Sequence, residues 1–120
     1  MQLSEIEFGD AKPIEGYGPD FYRLGGQTYP APVLIYGGEV HGWGGYDEAA
    51  PLLALAGRVD VLLVGTGPQI AHLPKGLRAE LDAAGIGAEV MDSPAACRTY
   101  NVLLSEQRRV AVALLAAVGA

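Results

Sequence analysis

The segment Val59 to Val64, apolar apart from Asp60, is followed by a helix-forming stretch and then by a short strand-like run at Ala88 to Met91. An apolar run of that kind suits a strand covered on both faces, and so a central place in a sheet. Pro74 to Ala84 reads as the intervening helix, because Leu77 and Leu81 lie on one side at i, i+4 and Gly85 ends it. Strand, helix and strand in this order make a parallel unit with a right-handed crossover. That unit commits the chain to the α/β class.

The stretch Met91-Asp92-Ser93-Pro94 closes the unit and opens another helix. Ser93 is a good N-cap, and Pro94 fits the first helical position, where the missing N–H is not needed and φ is already helical. A helix is predicted from Pro94 to about Ser105. Its first turn leaves unpaired N–H groups near Ser93, Ala95 and Ala96, with Cys97 one turn in and Arg98 beside it, a setting that favours negative charge. The plainer reading makes Cys97 a small buried hydrophobe and pairs Arg98 with a carboxylate such as Asp92.

Ahead of this region, residues 4–46 are dense in Gly, Pro and aromatic residues, the pattern of strands and tight turns. Phe21 to Leu24 and Gln27 to Tyr29 read as a hairpin across Gly25-Gly26, a turn able to take positive φ. Val33 to Tyr36 is the next strand, and Gly37-Gly38 leads into a short one around Glu39 to Trp43. Asp47 is the expected cap of a helix running to about Ala56, limited or kinked by Pro51 and closed by Gly57. The whole reads as a single three-layer α/β domain over residues 1–120. It has a central mixed, partly parallel sheet, a strand-rich N-terminal hairpin region (1–46) and about three helices among the units of 47–120.

With 120 residues and 50% hydrophobic content, one domain with a real core is expected. The net charge of −6 argues against a nucleic-acid partner. Residues 1–60 hold nine Asp/Glu against three Lys/Arg, while residues 61–120 hold five of each, so the acidic face belongs to the first half. A single cysteine excludes an internal disulfide and suits a reducing compartment, with the cytoplasm as the expected location. Glu5 and Glu7 near the start fit neither a secretory signal nor an Arg-rich transit peptide. The longest apolar run, Val110 to Val118, is nine residues, well short of the ~20 that span a bilayer as a helix, so a soluble protein is expected.

If the strands ending at Gly65 and Asp92 are parallel neighbours, the loops after them open on the same sheet edge, where ligands of open α/β sheets bind. Gly65, Thr66 and Gly67 would then frame one cleft with Asp92 and Ser93, with Cys97, Arg98 and Asn101 over it. Thr66 offers a hydroxyl, Gly67 close backbone approach, and Arg98 a bidentate fork suited to a small anion or carboxylate. The competing reading gives these residues to turns and loop hydrogen bonds. A dinucleotide fingerprint fails, since Ile70 stands where the third glycine belongs and Pro68 interrupts the turn. A Walker loop fails as well, because Lys75 precedes Gly76. Thiol catalysis by Cys97 needs a depressed pKa and a base, and His41 and His72 are the only histidines. One cysteine and two separated histidines match no metal-ligand spacing. Neither metal nor cofactor is expected.

The run from Met91 to Asn101, with Gly85 to Val90 before it and Val102 to Glu106 after it, resembles a family motif. Val61 to Gly67, Leu73-Pro74 and Leu77 supply a second matching segment, while Gly16-Tyr17-Gly18, Phe21, Val33 to Ile35 and Trp43 match more loosely. The family contains mitochondrial respiratory complex I assembly factor 3, the adipogenesis-associated protein and many small bacterial and archaeal proteins of unknown function. Two departures stand out: Ser93 where the family often has Thr, and Gln107 where it usually has the helix-ending Gly. Arg109 to Ala116 is compatible with helix or strand, and Val110, Val112 and the resemblance tip it to strand.

The resemblance implies a non-catalytic protein-binding domain whose partners are respiratory-complex subunits or assembly proteins. The alternative is an anion-binding protein or thiol-dependent enzyme using Thr66, Ser93, Cys97 and Arg98. A homo-oligomer whose exposed strand is covered by its own copy is a third possibility.

Overall fold

The computed structural model describes residues 12–117. Glu5, Glu7 and Val118, used above, lie outside them. Two sheets are present. Strands β1 (Gly16–Gly18), β2 (Phe21–Leu24) and β3 (Gln27–Pro30) form an antiparallel sheet in that order. The larger sheet has the order β5-β4-β8-β6-β7, built from β4 (Val33–Tyr36), β5 (Glu39–Gly42), β6 (Val61–Gly65), β7 (Ala88–Met91) and β8 (Val110–Leu114). Between these strands run the helices α1 (Ala50–Leu53), α2 (Lys75–Ala83) and α3 (Ser93–Ser105).

Strand β6 is parallel to both β7 and β8, whereas β4 is antiparallel to β8 and β5, so the sheet is mixed. The step from β6 through α2 to β7 moves one way across the sheet. The step from β7 through α3 to β8 returns over β6. Two crossovers of one hand that travel in opposite directions must lie on opposite faces. Accordingly, α2 and α3 pack into separate cores.

The two-residue period of the strands divides their side chains between those cores. Leu34, Leu62, Val64, Ala111 and Ala113 face Leu52, Leu77 and Leu81 of α1 and α2. Val33, Ile35, Leu63, Val112 and Leu114 face Ala96, Tyr100 and Leu104 of α3, together with Tyr22 and Leu24 from the small sheet. Strand β8 thus presents alanines toward α1 and α2 and branched side chains toward α3. Leu62, Leu63 and Val64 are fully buried, each contributing roughly 1.5–3 kcal/mol relative to exposure. The central sheet with a helical layer on one face and α3 plus the small sheet on the other gives the expected three layers.

One expectation needs correction, and one strand was not anticipated. The first helix spans four residues from Ala50, with Ala49 at its N-cap, and not Asp47 to Ala56. Pro51 sits in its opening turn, where no N–H is required. The Glu48 carbonyl, which a helix from Asp47 would use internally, accepts from the Trp43 indole N–H at 2.9 Å. Strand β1 was not read individually from the sequence. Its three residues are too few to show alternation.

Candidate functional site

The carboxyl ends of β6, β7 and β8 meet where the sequence places Gly65-Thr66-Gly67 beside Asp92-Ser93. The Thr66 N–H donates to the Met91 carbonyl at 2.9 Å, and the Ser93 N–H donates to the Gly67 carbonyl at 2.7 Å. From β8, the Leu115 N–H donates to the Gly65 carbonyl at 3.0 Å. Gly65 has to be glycine here. A Cβ on it would lie 2.7 Å from both Leu114 Cδ2 and Ser93 Oγ, and 2.9 Å from Ser93 Cα. Gly67 has φ +111, a conformation that side chains strain against.

Asp92, not Ser93, caps the third helix. Its Oδ1 accepts from the Ala95 N–H at 2.8 Å, and its carbonyl accepts from the Ala96 N–H at 2.9 Å. With the Ser93 N–H on Gly67, the N–H groups expected to await an anion are all engaged. Ser93 is instead fully buried. Its Oγ accepts from the Gly67 N–H at 2.9 Å and donates to the Leu115 carbonyl at 3.0 Å. That same carbonyl accepts from the Tyr22 hydroxyl at 2.6 Å. Burial pushes the Tyr22 phenol well above its ordinary range, and its hydrogen bond with Ser93 pulls the other way. Thr66 is likewise occupied locally, donating to the Gln69 carbonyl at 2.8 Å and accepting from the Ala71 N–H at 3.0 Å. Gly65, Thr66, Gly67, Asp92 and Ser93 therefore come together as a hydrogen-bonded joint between three strands.

Cys97, Arg98 and Asn101 lie along a different groove, of about 160 Å³, completed by Pro94 and by Ile14 to Tyr17. Neither Thr66 nor Ser93 lines it. Cys97 is 5% exposed, and burial pushes its thiol up to about 12, outweighing the pull of the Arg98 charge in the opposite direction. The helix start does not make this cysteine a thiolate near neutral pH. Arg98 is exposed, and the ion pairs among the described residues, Arg109–Asp60 and the long His41–Glu39 contact, do not include it. The expected pairing with Asp92 gives way to the helix cap. Asn101 acts as a fork: its Oδ1 accepts from the Ile14 N–H at 2.8 Å and its Nδ2 donates to the Ile14 carbonyl at 2.9 Å.

The sequence reading did not find Tyr22 or the Asn101 fork. Both act across long sequence separations on backbone atoms, which carry no signal in side-chain spacing. No cluster of three or more His, Cys, Asp or Glu suited to a metal occurs among the described residues, and none of their helices is long and apolar enough to cross a membrane.

Residues 14–115 match the model of a family described as protein of unknown function (DUF498/DUF598). An uncharacterised protein of Rhodobacter capsulatus is 53% identical over 120 residues, covering 100% of this chain and 97% of that one. The Danio rerio protein named NADH dehydrogenase [ubiquinone] 1 alpha subcomplex assembly factor 3 is 30% identical over 122 residues, covering 96% of this chain and 70% of its own. The crystal structure of a protein from Bartonella henselae, titled an outer membrane protein, superposes with a TM-score of 0.80 at 31% identity. It covers 89% of this chain and 96% of that one. The matched segment holds both core faces, the three-strand joint and the Asn101 fork, and the chain belongs to the DUF498/DUF598 family, to which complex I assembly factor 3 is related.

Proposed function

We propose that this protein works by binding another protein, in the manner of an assembly factor, through the groove that carries Tyr17 and Arg98. The observation that carries the reading is the contrast between the two candidate regions. The Ser93 hydroxyl is consumed in holding strand ends together and the Thr66 hydroxyl in its own loop, whereas Tyr17 is 42% exposed beside an Arg98 that has no ion-pair partner among the described residues. Tyrosine and arginine are the side chains that most often dominate protein interfaces, since each combines a large apolar body with a polar end. Asn101 fixes the backbone of Ile14 at the groove wall, which keeps the surface shaped before a partner arrives. The relative named for NADH dehydrogenase assembly supports a partner among the subunits or assembly proteins of that complex. The single buried cysteine is in keeping with a reducing compartment such as the cytoplasm.

Capture of the tagged protein from native bacterial membranes and lysate, with parent, Tyr17→Ala and Arg98→Glu compared, tests the reading. Respiratory NADH dehydrogenase components should be retained by the parent and lost at least tenfold in both variants, with thermal stability unchanged. Equal retention by all three would remove the groove as the interface. The small-molecule alternative predicts that a bound metabolite survives purification of the parent and is absent from Arg98→Glu.

A further inference from the structure

Strands β6 and β8 are parallel neighbours, so the residues just before each of them fall on one edge of the sheet, at the opposite end from the three-strand joint. Those residues are Arg58 ahead of β6 and Arg108-Arg109 ahead of β8. Three of the eight basic residues of an acidic chain are thereby gathered around one cavity of about 260 Å³. Its apolar lining comes from Val59, Leu104 and Val110, and the Gly37-Gly38 turn after β4 closes the far side.

The three guanidinium groups are held differently. Arg109 is fixed, its Nη2 donating to Asp60 Oδ1 at 2.8 Å, while the Asp60 N–H returns to the Arg109 carbonyl at 2.7 Å. Arg58 rests on the Tyr36 hydroxyl at 3.3 Å, a neutral contact that leaves its charge uncompensated. Arg108 is exposed and makes no side-chain hydrogen bond or ion pair among the described residues. Asp60 is taken by Arg109, which leaves the Arg58 and Arg108 guanidinium groups without an ion-pair partner among the described residues, beside an apolar cavity lining. Repulsion between like charges disfavours the empty site and is relieved by an anion, for which arginine forks are geometrically suited.

We propose that this cavity binds a small organic phosphate, its dianionic head held by Arg58 and Arg108 and its body, about one ring in size, lying against Val59, Leu104 and Val110. Two guanidinium groups outside any ion pair match the several oxygens of a phosphate monoester better than a single carboxylate. The volume of about 260 Å³ lies just below the ~300 Å³ at which drug-sized sites begin and suits a body of about one ring. A lining that combines apolar side chains with arginines suits a ligand with both parts. The site is separate from the Tyr17 and Arg98 groove, so either assignment can fail alone.

The test is titration of the ¹⁵N-labelled protein with phenyl phosphate, with inorganic phosphate and phenol as the head and the body alone. Phenyl phosphate should saturate, shift the Val59, Arg108 and Val110 amides, and bind at least tenfold more tightly than either fragment. Arg108→Ala, which removes no structural hydrogen bond, should weaken it about tenfold, and Arg58→Ala with Arg108→Ala should abolish it, while Arg98→Ala leaves it unchanged. Non-saturating shifts, binding by inorganic phosphate as tight as by phenyl phosphate, or an Arg108→Ala titration identical to the parent would each overturn the proposal.

Discussion

Replacing Ser93 by alanine removes one oxygen from a site with no solvent access, and the surrounding hydrogen bonds set the cost. The Gly67 N–H loses its acceptor, since the only oxygen it reaches among the described residues is Ser93 Oγ at 2.9 Å. The Leu115 carbonyl keeps the Tyr22 hydroxyl at 2.6 Å. A buried donor left unpaired costs about 1–3 kcal/mol, so Ser93→Ala should destabilise the fold by about 2 kcal/mol. For a chain of this length that corresponds to a fall in Tm of roughly 8 °C. Tyr22→Phe alone should cost about 1 kcal/mol, because Ser93 still serves the shared carbonyl. The double variant leaves that carbonyl with neither side-chain donor and should exceed the sum by about 1 kcal/mol. Urea titration of all four proteins, with unchanged m-values, measures the cycle. Ser93→Ala within about 0.5 kcal/mol of the parent, or strict additivity, would refute the account of the joint.

Gln107 has φ +61 where a glycine ends helices without strain. Gln107→Gly should therefore stabilise by about 0.5–1 kcal/mol, the relief of left-handed strain less the added freedom of the unfolded chain, read as a higher urea midpoint. Burial of Cys97, with its thiol raised to about 12, predicts no reaction with a disulfide reagent at pH 8 in the native protein and complete reaction in denaturant. The Arg109 hydrogen bond holds the Asp60 carboxyl below its usual range, opposed by desolvation and helped by the Arg109 and Arg108 charges. A depressed carboxyl stabilises above its unfolded pKa and loses that contribution as pH falls through its folded value. The acid-side decline in Tm should be shallower in Asp60→Asn than in the parent.

Segments with a strong local code were legible in the sequence. Val33 to Tyr36 and Ala88 to Met91 form strands at the predicted residues, and Leu77 and Leu81 bury the predicted face of α2. The strand at Val110 to Leu114 was ambiguous because its alanines, which suit either state, reflect the space beneath α1 and α2 rather than a backbone preference. The helix cap slipped by one residue because Asp92 and Ser93 are both competent caps. Packing of Ser93 against Gly65 decided between them. The loop of Gly65, Thr66 and Gly67 lies beside Asp92 and Ser93, joined to Ser93 by hydrogen bonds of 2.7 and 2.9 Å. What the pattern could not show is that their polar atoms face one another instead of opening to a ligand. The Arg58, Arg108 and Arg109 cluster was readable once β6 and β8 were known to be neighbours, a pairing that follows from the topology and from no local motif.

The Asn101 fork reaches the peptide of residue 14, not its side chain, across 87 positions of sequence. A carboxamide thus substitutes for a neighbouring strand and anchors the small sheet to α3. Any residue other than proline can stand at position 14 without losing that anchor, whereas Asn101→Asp would turn a donor into a second acceptor facing the Ile14 carbonyl and loosen the amino-terminal sheet as a unit.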